Sequence, residues 1–250
     1  MKLTSKQIKK LNPKRYSRIC SKSLKVNCLK KKWETVKKYF FDPSKPNSNN
    51  RAKNLLDVKK ILDENNLTFY LVRGALLGIY RDGDFIKWDD DTEIDVFEDD
   101  FLRQYEKLCE LFMSIGFVVR GRKPSFAGKP GEKVNLYRNG EKLTIRGLLE
   151  DETGKFFQTK VYRYPRKFYD NFETIEFKGK TFRVPSPIED YIVYVYGKDW
   201  RIPIKSKNDC IVDFAERGIR RKTAITSGKL QNALKERKIK KERKNGKEKQ

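Results

Sequence analysis

The amino-acid sequence predicts an α+β fold, with a mixed central sheet flanked by helices and with basic extensions at both ends. Two segments, residues 51–66 and 98–116, place apolar side chains at the spacing of one helix face. Between residues 117 and 182, short apolar runs alternate with turn residues such as glycine and asparagine, a pattern typical of strands. The excess positive charge lies outside these segments. These observations predict a folded centre between two charged ends.

The charge distribution divides the chain into three parts. Residues 1–50 carry 15 Lys/Arg against 2 Asp/Glu, and residues 217–250 carry 14 against 3. Residues 51–216 carry 29 of each, so the net charge of +24 belongs to the ends. A chain of 250 residues can bury one good core. We therefore expect a basic extension over 1–50, a folded domain over 51–205 and a segment with a basic tail over 206–250.

The basic extensions leave two interpretations open. Residues 24–41 could form a basic amphipathic helix, followed by a Pro- and Asn-rich linker over 42–50. Charge runs of this kind are most often solvated, and a docked helix with an exposed basic face is the favoured interpretation. The alternative is contact with an anionic membrane surface or with nucleic acid.

The sequence excludes several classes of site and predicts a cytoplasmic protein. The positively charged N-terminus is not followed by the apolar stretch of a signal peptide, and no apolar run is long enough for a membrane helix. The four cysteines form no Cys-x-x-Cys pair and there is no histidine, which excludes the usual zinc sites and a catalytic histidine. We expect free thiols in a reducing compartment.

The first elements of the folded domain are predicted in the order helix, strand, glycine turn, acidic strand, helix. The helix over 51–66 leads into a strand over 67–72 and a glycine-flanked apolar turn over 74–78. A second strand follows the acids and ends near residue 97, before the helix over 98–116. Glycine turns of this kind let a backbone approach a phosphate closely.

The acidic cluster is the chief candidate for chemistry. On a strand, alternate residues share a face, which would place Asp89, Asp91 and Glu93 together with Asp95 and turn Asp90 to the other face. Like charges at this spacing repel, and Mg²⁺ would relieve the repulsion by binding carboxylates and substrate phosphates. The alternative is a solvated hairpin tip. The adjoining tryptophan and apolar segment favour a site that abuts the core.

The later part of the chain is predicted to contain short strands joined by tight turns. Asn139-Gly140 between two apolar runs is a hairpin signal, and residues 177–182 predict a second hairpin with Gly179 at its tip. The aromatic and basic stretch from 156 to 169 has two interpretations. Arg163 and Arg166 could clamp a pyrophosphate beside stacked rings. Packing aromatics with arginines at the rim is the slightly favoured alternative.

The stretch from Gly74 to Asp91 resembles the LicD/fukutin family of nucleotidyltransferase-fold enzymes. The family signature runs through two glycines flanking apolar residues, an arginine, and an Ile-x-Trp-Asp entry into spaced aspartates. The positions that match it are Gly74, Leu76, Leu77, Gly78, Arg81, Gly83, Ile86, Trp88, Asp89, Asp90 and Asp91. A later Tyr-Gly-x-Asp-Trp element is matched by residues 196–200. The resemblance covers roughly residues 54–203 and rests on two motifs in the right order.

The resemblance implies transfer of a phospho-alcohol, such as phosphocholine or ribitol phosphate, from a CDP-linked donor to a glycan acceptor. It implies that Asp91 and Glu93 hold Mg²⁺, or Mn²⁺ in its place, with Asp89 as a third ligand or a general base. Arg81 would contact the donor phosphates or brace the acidic strand. Gly74 would bring backbone N–H groups to the substrate.

Three positions depart from the family pattern, and a second function stays open beside the first. Ala75 replaces a hydroxyl residue in the substrate-binding turn, Glu93 replaces an aspartate, and Thr144 stands where a later aspartate is expected. The alternative function is a nucleic-acid-associated nucleotidyltransferase, or a degenerate domain that only binds, with the basic ends as arms. The neutral charge of the central region argues against a cleft that tracks a nucleic acid.

Overall fold

The structure, a computed structural model, describes residues 42, 44, 46–120, 133–159 and 162–203. The expected basic helix over 24–41 and the segment beyond 203 lie outside these residues. The helices in chain order are α1 Ser48–Glu64, α2 Arg73–Asp82, α3 Glu98–Arg103, α4 Tyr105–Ser114, α5 Lys167–Asp170 and α6 Ile188–Tyr196. The strands are β1 Phe69–Leu71, β2 Thr92–Phe97, β3 Val118–Arg120, β4 Val134–Arg138, β5 Glu141–Glu150, β6 Phe156–Gln158, β7 Arg163–Pro165, β8 Phe172–Phe177 and β9 Lys180–Pro185.

The described residues fall into two compact units. The first contains the residues up to Leu149 together with Thr174–Val184, and the second contains Glu150–Glu173 and the residues from Pro185 onward. In the first unit, five strands are hydrogen-bonded in the order β1-β2-β5-β4-β3. The β2–β5 pair is parallel and the other three pairs are antiparallel. The prediction of an α+β fold with a mixed sheet and flanking helices is confirmed.

The parallel pairing of β2 with β5 places the acids of one strand beside the polar residues of the other. Glu93 is paired with Thr144, and Asp95 is paired with Arg146. The side chains of successive rungs point to opposite faces of a sheet. Side chains two residues apart on a strand lie on the same face. This register therefore brings basic residues of β5 next to carboxylates of β2.

The two predicted hairpins are confirmed. Asn139 and Gly140 join β4 to β5 with φ angles of 55° and 81°, and Lys178 and Gly179 join β8 to β9 with φ angles of 51° and 71°. Positive φ at both central residues is the requirement of the tight turns whose twist matches that of paired strands. Asparagine and glycine adopt this conformation at low cost, which is why the first hairpin could be read from sequence.

The predicted glycine turn over 74–78 is wrong, because these residues belong to α2. The helix ends at Gly83, whose φ of 73° is left-handed. Gly78 lies where the chain after the helix crosses it. A Cβ there would stand 2.7 Å from both the Asp84 carbonyl oxygen and the Ile86 nitrogen. The glycine therefore permits close packing of the returning backbone.

Two predicted helix boundaries also differ from the structure. Helix α1 begins at Ser48, inside the predicted linker, because the Asn47 side chain caps it by accepting from the Asn50 N–H. The predicted helix over 98–116 is two helices that meet at Gln104. The side chain of Gln104 donates to the Asn65 carbonyl at 3.1 Å and fixes the chain at this break.

The core of the first unit lies between the sheet and helices α1, α2 and α4. Leu55, Val58 and Leu62 on one face of α1 are fully buried. Helix α1 contacts α4, and α2 contacts β2. Because α2 runs directly beside β2, its first turn faces the residues that enter that strand. Among the described helices, none has the length and apolar character required to cross a membrane.

Candidate active site

Three consecutive carboxylates converge immediately before β2. Asp89, Asp90 and Asp91 each offer one oxygen, and these oxygens lie within 4.8 Å of one another. Strand β2 begins only at Thr92, and the alternation predicted from residue 89 onward is therefore wrong for these three residues. The sequence predicted that the Asp90 side chain lies on the opposite face of the strand, whereas in the structure its carboxylate belongs to the cluster.

The chain entering the cluster is held by Arg51, a residue of α1 that is 1% exposed. Its Nη1 donates to the carbonyls of Ile86 and Asp89 at 3.3 and 3.0 Å. Its Nη2 donates to the Asp91 carbonyl at 2.5 Å, and its Nε donates to Thr92 Oγ1 at 3.2 Å. The guanidinium therefore binds most of the turn that carries the acids.

The Asp89 carboxylate lies beside this arginine and beside the start of α2. Its Oδ2 lies 3.5 Å from Arg51 Nη2, and a Cβ on Gly74 would stand 2.6 Å from the same oxygen. Burial and the negative charge of Asp91 raise the pKa of Asp89 to about 7, although the Arg51 charge opposes the shift. In this structure Gly74 therefore makes room for a carboxylate. Its neighbour Ala75 is fully buried.

Glu93 and Asp95 belong to a separate buried network with two arginines. Arg73 donates from Nε to Glu93 at 2.9 Å and from its two terminal nitrogens to Asp95 at 3.0 and 2.7 Å. Arg146 donates to the other oxygen of Glu93 from Nε at 2.9 Å. Although burial opposes it, the two guanidinium groups hold the pKa of Glu93 well below its usual range. Burial raises the pKa of Asp95 despite the contact with Arg73.

The side of the cluster that faces β5 is basic and polar. Lys142 Nζ lies 2.8 Å from Asp91 Oδ2, and the Thr144 hydroxyl lies 3.3 Å from the same oxygen. Although burial opposes it, the Asp91 charge raises the pKa of Lys142. Thr144 also contacts the Asn135 side chain at 3.1 Å. Where the family pattern places an acid, this chain therefore has a hydroxyl next to a lysine.

The cluster has the donor chemistry of a divalent cation site. Three carboxylates supply the oxygens that Mg²⁺ and Mn²⁺ prefer. Burial is the main cause of the raised pKa of Asp89, and the charge of Asp91, which a cation would neutralise, adds to it. Both oxygens of Glu93 are bound by arginines. A metal role for Glu93 stays a prediction.

The other predicted substrate ligands lie in ion pairs. Arg81 donates to the carboxylate of its neighbour Asp82 at 2.8 and 2.7 Å. In the second unit, Arg163 donates to Asp151 at 2.8 Å and its guanidinium carbon lies 3.5 Å from the centre of the Phe156 ring. Whether these arginines contact a substrate stays a prediction.

In the second unit Arg166 also lies in ion pairs, and four aromatic side chains of the same stretch are buried. Arg166 is paired with Glu150 and with Asp170, the latter at 2.9 Å. The buried aromatic side chains of this stretch are Phe157, Tyr164, Phe168 and Tyr169. Tyr164 packs against Tyr191 of α6 with ring centres 5.8 Å apart. The nucleic-acid and membrane-surface predictions rest on the basic ends, almost all of which lie outside the described residues.

Residues 66–187 match the family model described as LicD/FKTN/FKRP, nucleotidyltransferase domain. The chain contains a domain of the LicD/fukutin family. The LicD domain includes the acid cluster and Lys142, and its first residue follows α1. Arg51 therefore lies outside the matched range although its side chain binds the turn that carries the acids.

Named relatives agree with this assignment. The chain is 32% identical over 165 residues to ribitol-5-phosphate transferase FKTN of Mus musculus and 29% identical over 163 residues to its Homo sapiens counterpart. Each match covers 62% of this chain and 34% of the relative. The chain thus spans about a third of the length of the curated relatives it matches. Among solved structures, the antibiotic-resistance factor ANT(2″)-Ia aligns over 78% of this chain and 96% of its own, with 14% identity and a TM-score of 0.41.

Sequence reasoning missed three residues that shape the site. Arg51 stands at the start of the apolar stripe of α1, four residues before Leu55, and this position could have indicated a buried arginine. Lys142, Thr144 and Arg146 follow one another at intervals of two residues along β5, and this spacing could have placed all three on one face. Their pairing with β2 could not be read from either segment alone.

Proposed function

We propose that this chain is a Mg²⁺-dependent transferase of the LicD type. It moves a phospho-alcohol from a CDP-linked donor to a hydroxyl of a glycan. The observation that carries the proposal is the convergence of Asp89, Asp90 and Asp91 within a LicD domain. The relatives' name specifies ribitol 5-phosphate, which makes ribitol phosphate the first candidate for the transferred group and phosphocholine the second.

Asp90 and Asp91 would hold the metal ion, with Asp89 either as a third ligand or as the general base, and the ion would supply charge neutralisation at the donor phosphates when bound. Lys142 lies against Asp91 and is the side-chain cation of β5 nearest to the cluster. Its ammonium would donate to a phosphate oxygen of the donor. Arg81, Gly74, Arg163 and Arg166 are further candidates for donor contacts.

The reaction breaks the bond between the transferred phosphorus and the CMP oxygen and forms one to the acceptor oxygen. The acceptor hydroxyl loses its proton, and Asp89 is the candidate base. Without a cation, burial and the charge of Asp91 raise the pKa of Asp89 to about 7, and a divalent cation held by the neighbouring carboxylates would lower it, so that Asp89 would be ionised and able to accept a proton. CMP leaves with the electrons of the broken bond.

The test measures CMP release from CDP-ribitol and CDP-choline with Mg²⁺ present and water standing in for the acceptor hydroxyl. Asp91→Asn keeps the size of the side chain and removes its charge, and we expect release to fall roughly a hundredfold. Asp99→Asn, an exposed acid of α3, is the matched control and should release CMP at the wild-type rate. Turnover by Asp91→Asn within about threefold of wild type would refute the proposal.

A further inference from the structure

The turn that carries the acid cluster is hydrogen-bonded to a buried side chain, that of Arg51. Three backbone carbonyls, those of Ile86, Asp89 and Asp91, point to one guanidinium, that of Arg51. A fourth contact reaches Thr92, the first residue of β2. The guanidinium thus spans the turn from its entry to the start of the strand.

The position of Arg51 itself is fixed from several sides. The ring of Phe85 lies below the guanidinium, 4.2 Å from its central carbon to the ring centre. Helix α1 is docked at its first residues, because Asn47 N–H donates to Glu141 at 2.7 Å and Ser48 Oγ donates to Asp84 at 2.5 Å. The arginine therefore reaches the turn from a helix whose first residues are hydrogen-bonded to two other segments of the first unit.

Electrostatics give the same residue a second effect on the cluster. Three neighbouring carboxylates repel one another, and the Arg51 Nη2 lies 3.5 Å from Asp89 Oδ2. A buried cation at this distance offsets part of the repulsion. The backbone contacts and the charge both favour a cluster that is assembled before any ligand arrives.

We infer that Arg51 is a positioning residue for the acid cluster, and that α1 completes the metal site of the LicD domain although it precedes the matched residues. The inference rests on the proposed metal role of the cluster. A lysine at this position would keep the charge, but its single nitrogen cannot span three carbonyls and the threonine hydroxyl. Arg51→Lys therefore separates positioning from charge.

The control is a residue of α1 that is equally buried and bonds elsewhere. Asn54 is 1% exposed, donates to the Arg138 carbonyl at 2.8 Å and accepts from Arg138 Nε at 2.8 Å. Asn54→Ala removes buried hydrogen bonds from the same helix without touching the turn. A loss common to both variants would reflect α1 stability, and a loss confined to Arg51→Lys would reflect the turn.

The first measurement is Tb³⁺ luminescence of the full chain, sensitised by Trp88, with Mg²⁺ displacement to give its affinity. We expect Arg51→Lys to lower the affinity for both ions roughly tenfold to a hundredfold, as for residues that orient metal ligands. Asn54→Ala should leave both affinities within about twofold of the wild-type values. Equal affinity in wild type and Arg51→Lys would overturn the inference alone. Failure of wild type to bind either ion would overturn the metal role and this inference with it.

A second measurement needs no metal. Hydrogen exchange over residues 86–92 should accelerate at least tenfold in Arg51→Lys and stay at the wild-type rate in Asn54→Ala, with EDTA present. Unchanged exchange in Arg51→Lys would overturn the positioning role even if that variant bound metal weakly.

Discussion

Glu93 gives the sharpest test of how the buried charges are arranged. Its carboxylate accepts from Arg73 on one oxygen and from Arg146 on the other, and its side chain is only 13% exposed. Glu93→Gln keeps the shape, removes the charge and turns an amide N–H₂ toward one of the guanidinium groups. With Asp95 as the remaining carboxylate, the network of two arginines and two acids gains a net positive charge.

Breaking a buried pair by removal of one partner costs about 3–5 kcal/mol, and we expect Glu93→Gln to lower the free energy of unfolding by this amount. Urea unfolding at pH 7 with EDTA present measures it. Glu189→Gln is the matched control, because Glu189 pairs with Arg201 at 2.8 Å but is 54% exposed. Its expected change is below about 0.5 kcal/mol.

The pH dependence adds a second readout. Because the native pKa of Glu93 lies below its ordinary value of 4.5, its stabilisation is complete above that pH and is lost as the pH falls further. The difference in the free energy of unfolding between wild type and Glu93→Gln should therefore become smaller below about pH 4.5. A gap at pH 7 under about 1 kcal/mol would refute this account of the network.

Two further predictions concern glycine packing and a buried thiol. Gly78→Ala should destabilise the fold by about 1–3 kcal/mol in urea unfolding, because its Cβ meets backbone atoms that cannot yield. Gly74→Ala should lower the free energy of unfolding less than Gly78→Ala does, but it should weaken Mg²⁺ binding, because its Cβ displaces the Asp89 carboxylate. A larger loss of stability in Gly74→Ala than in Gly78→Ala, with Mg²⁺ binding weakened only in Gly78→Ala, would contradict the packing described. Burial raises the pKa of Cys109 to about 11 from an ordinary 9.0, and alkylation by iodoacetamide at pH 8 should be roughly a hundredfold slower in native protein than in urea. Equal rates in mass spectra of the Cys109 peptide would contradict this.

The sequence could predict the elements whose signals are local. The apolar stripe of α1 and the Asn139-Gly140 turn each specify their structure within a few residues, and both were found. Glycine at 74 and 78 was ambiguous, because a glycine is used both in turns and where a helix is crossed closely by another segment. The structure shows the second use at Gly78, and the two backbone atoms that require it lie six and eight residues later in the chain.

The candidate site was predicted in part. The motif located Asp89 and Asp91, but the separation of Glu93 from them depends on Arg146, which is 53 residues away in sequence. The role of Arg51 likewise depends on a contact across 38 residues to Asp89. Such long-range ion pairs leave no local pattern, since an isolated arginine in a helix is most often a surface residue.

We propose that the acid cluster binds a divalent cation together with a CDP-linked alcohol. The most direct measurement is calorimetric titration of the purified chain with CDP-ribitol and CDP-choline, with and without Mg²⁺, against CTP and ATP. We expect one CDP-alcohol to bind only with Mg²⁺ present and more tightly than CTP and ATP. Absence of binding to every nucleotide with Mg²⁺ present would contradict it.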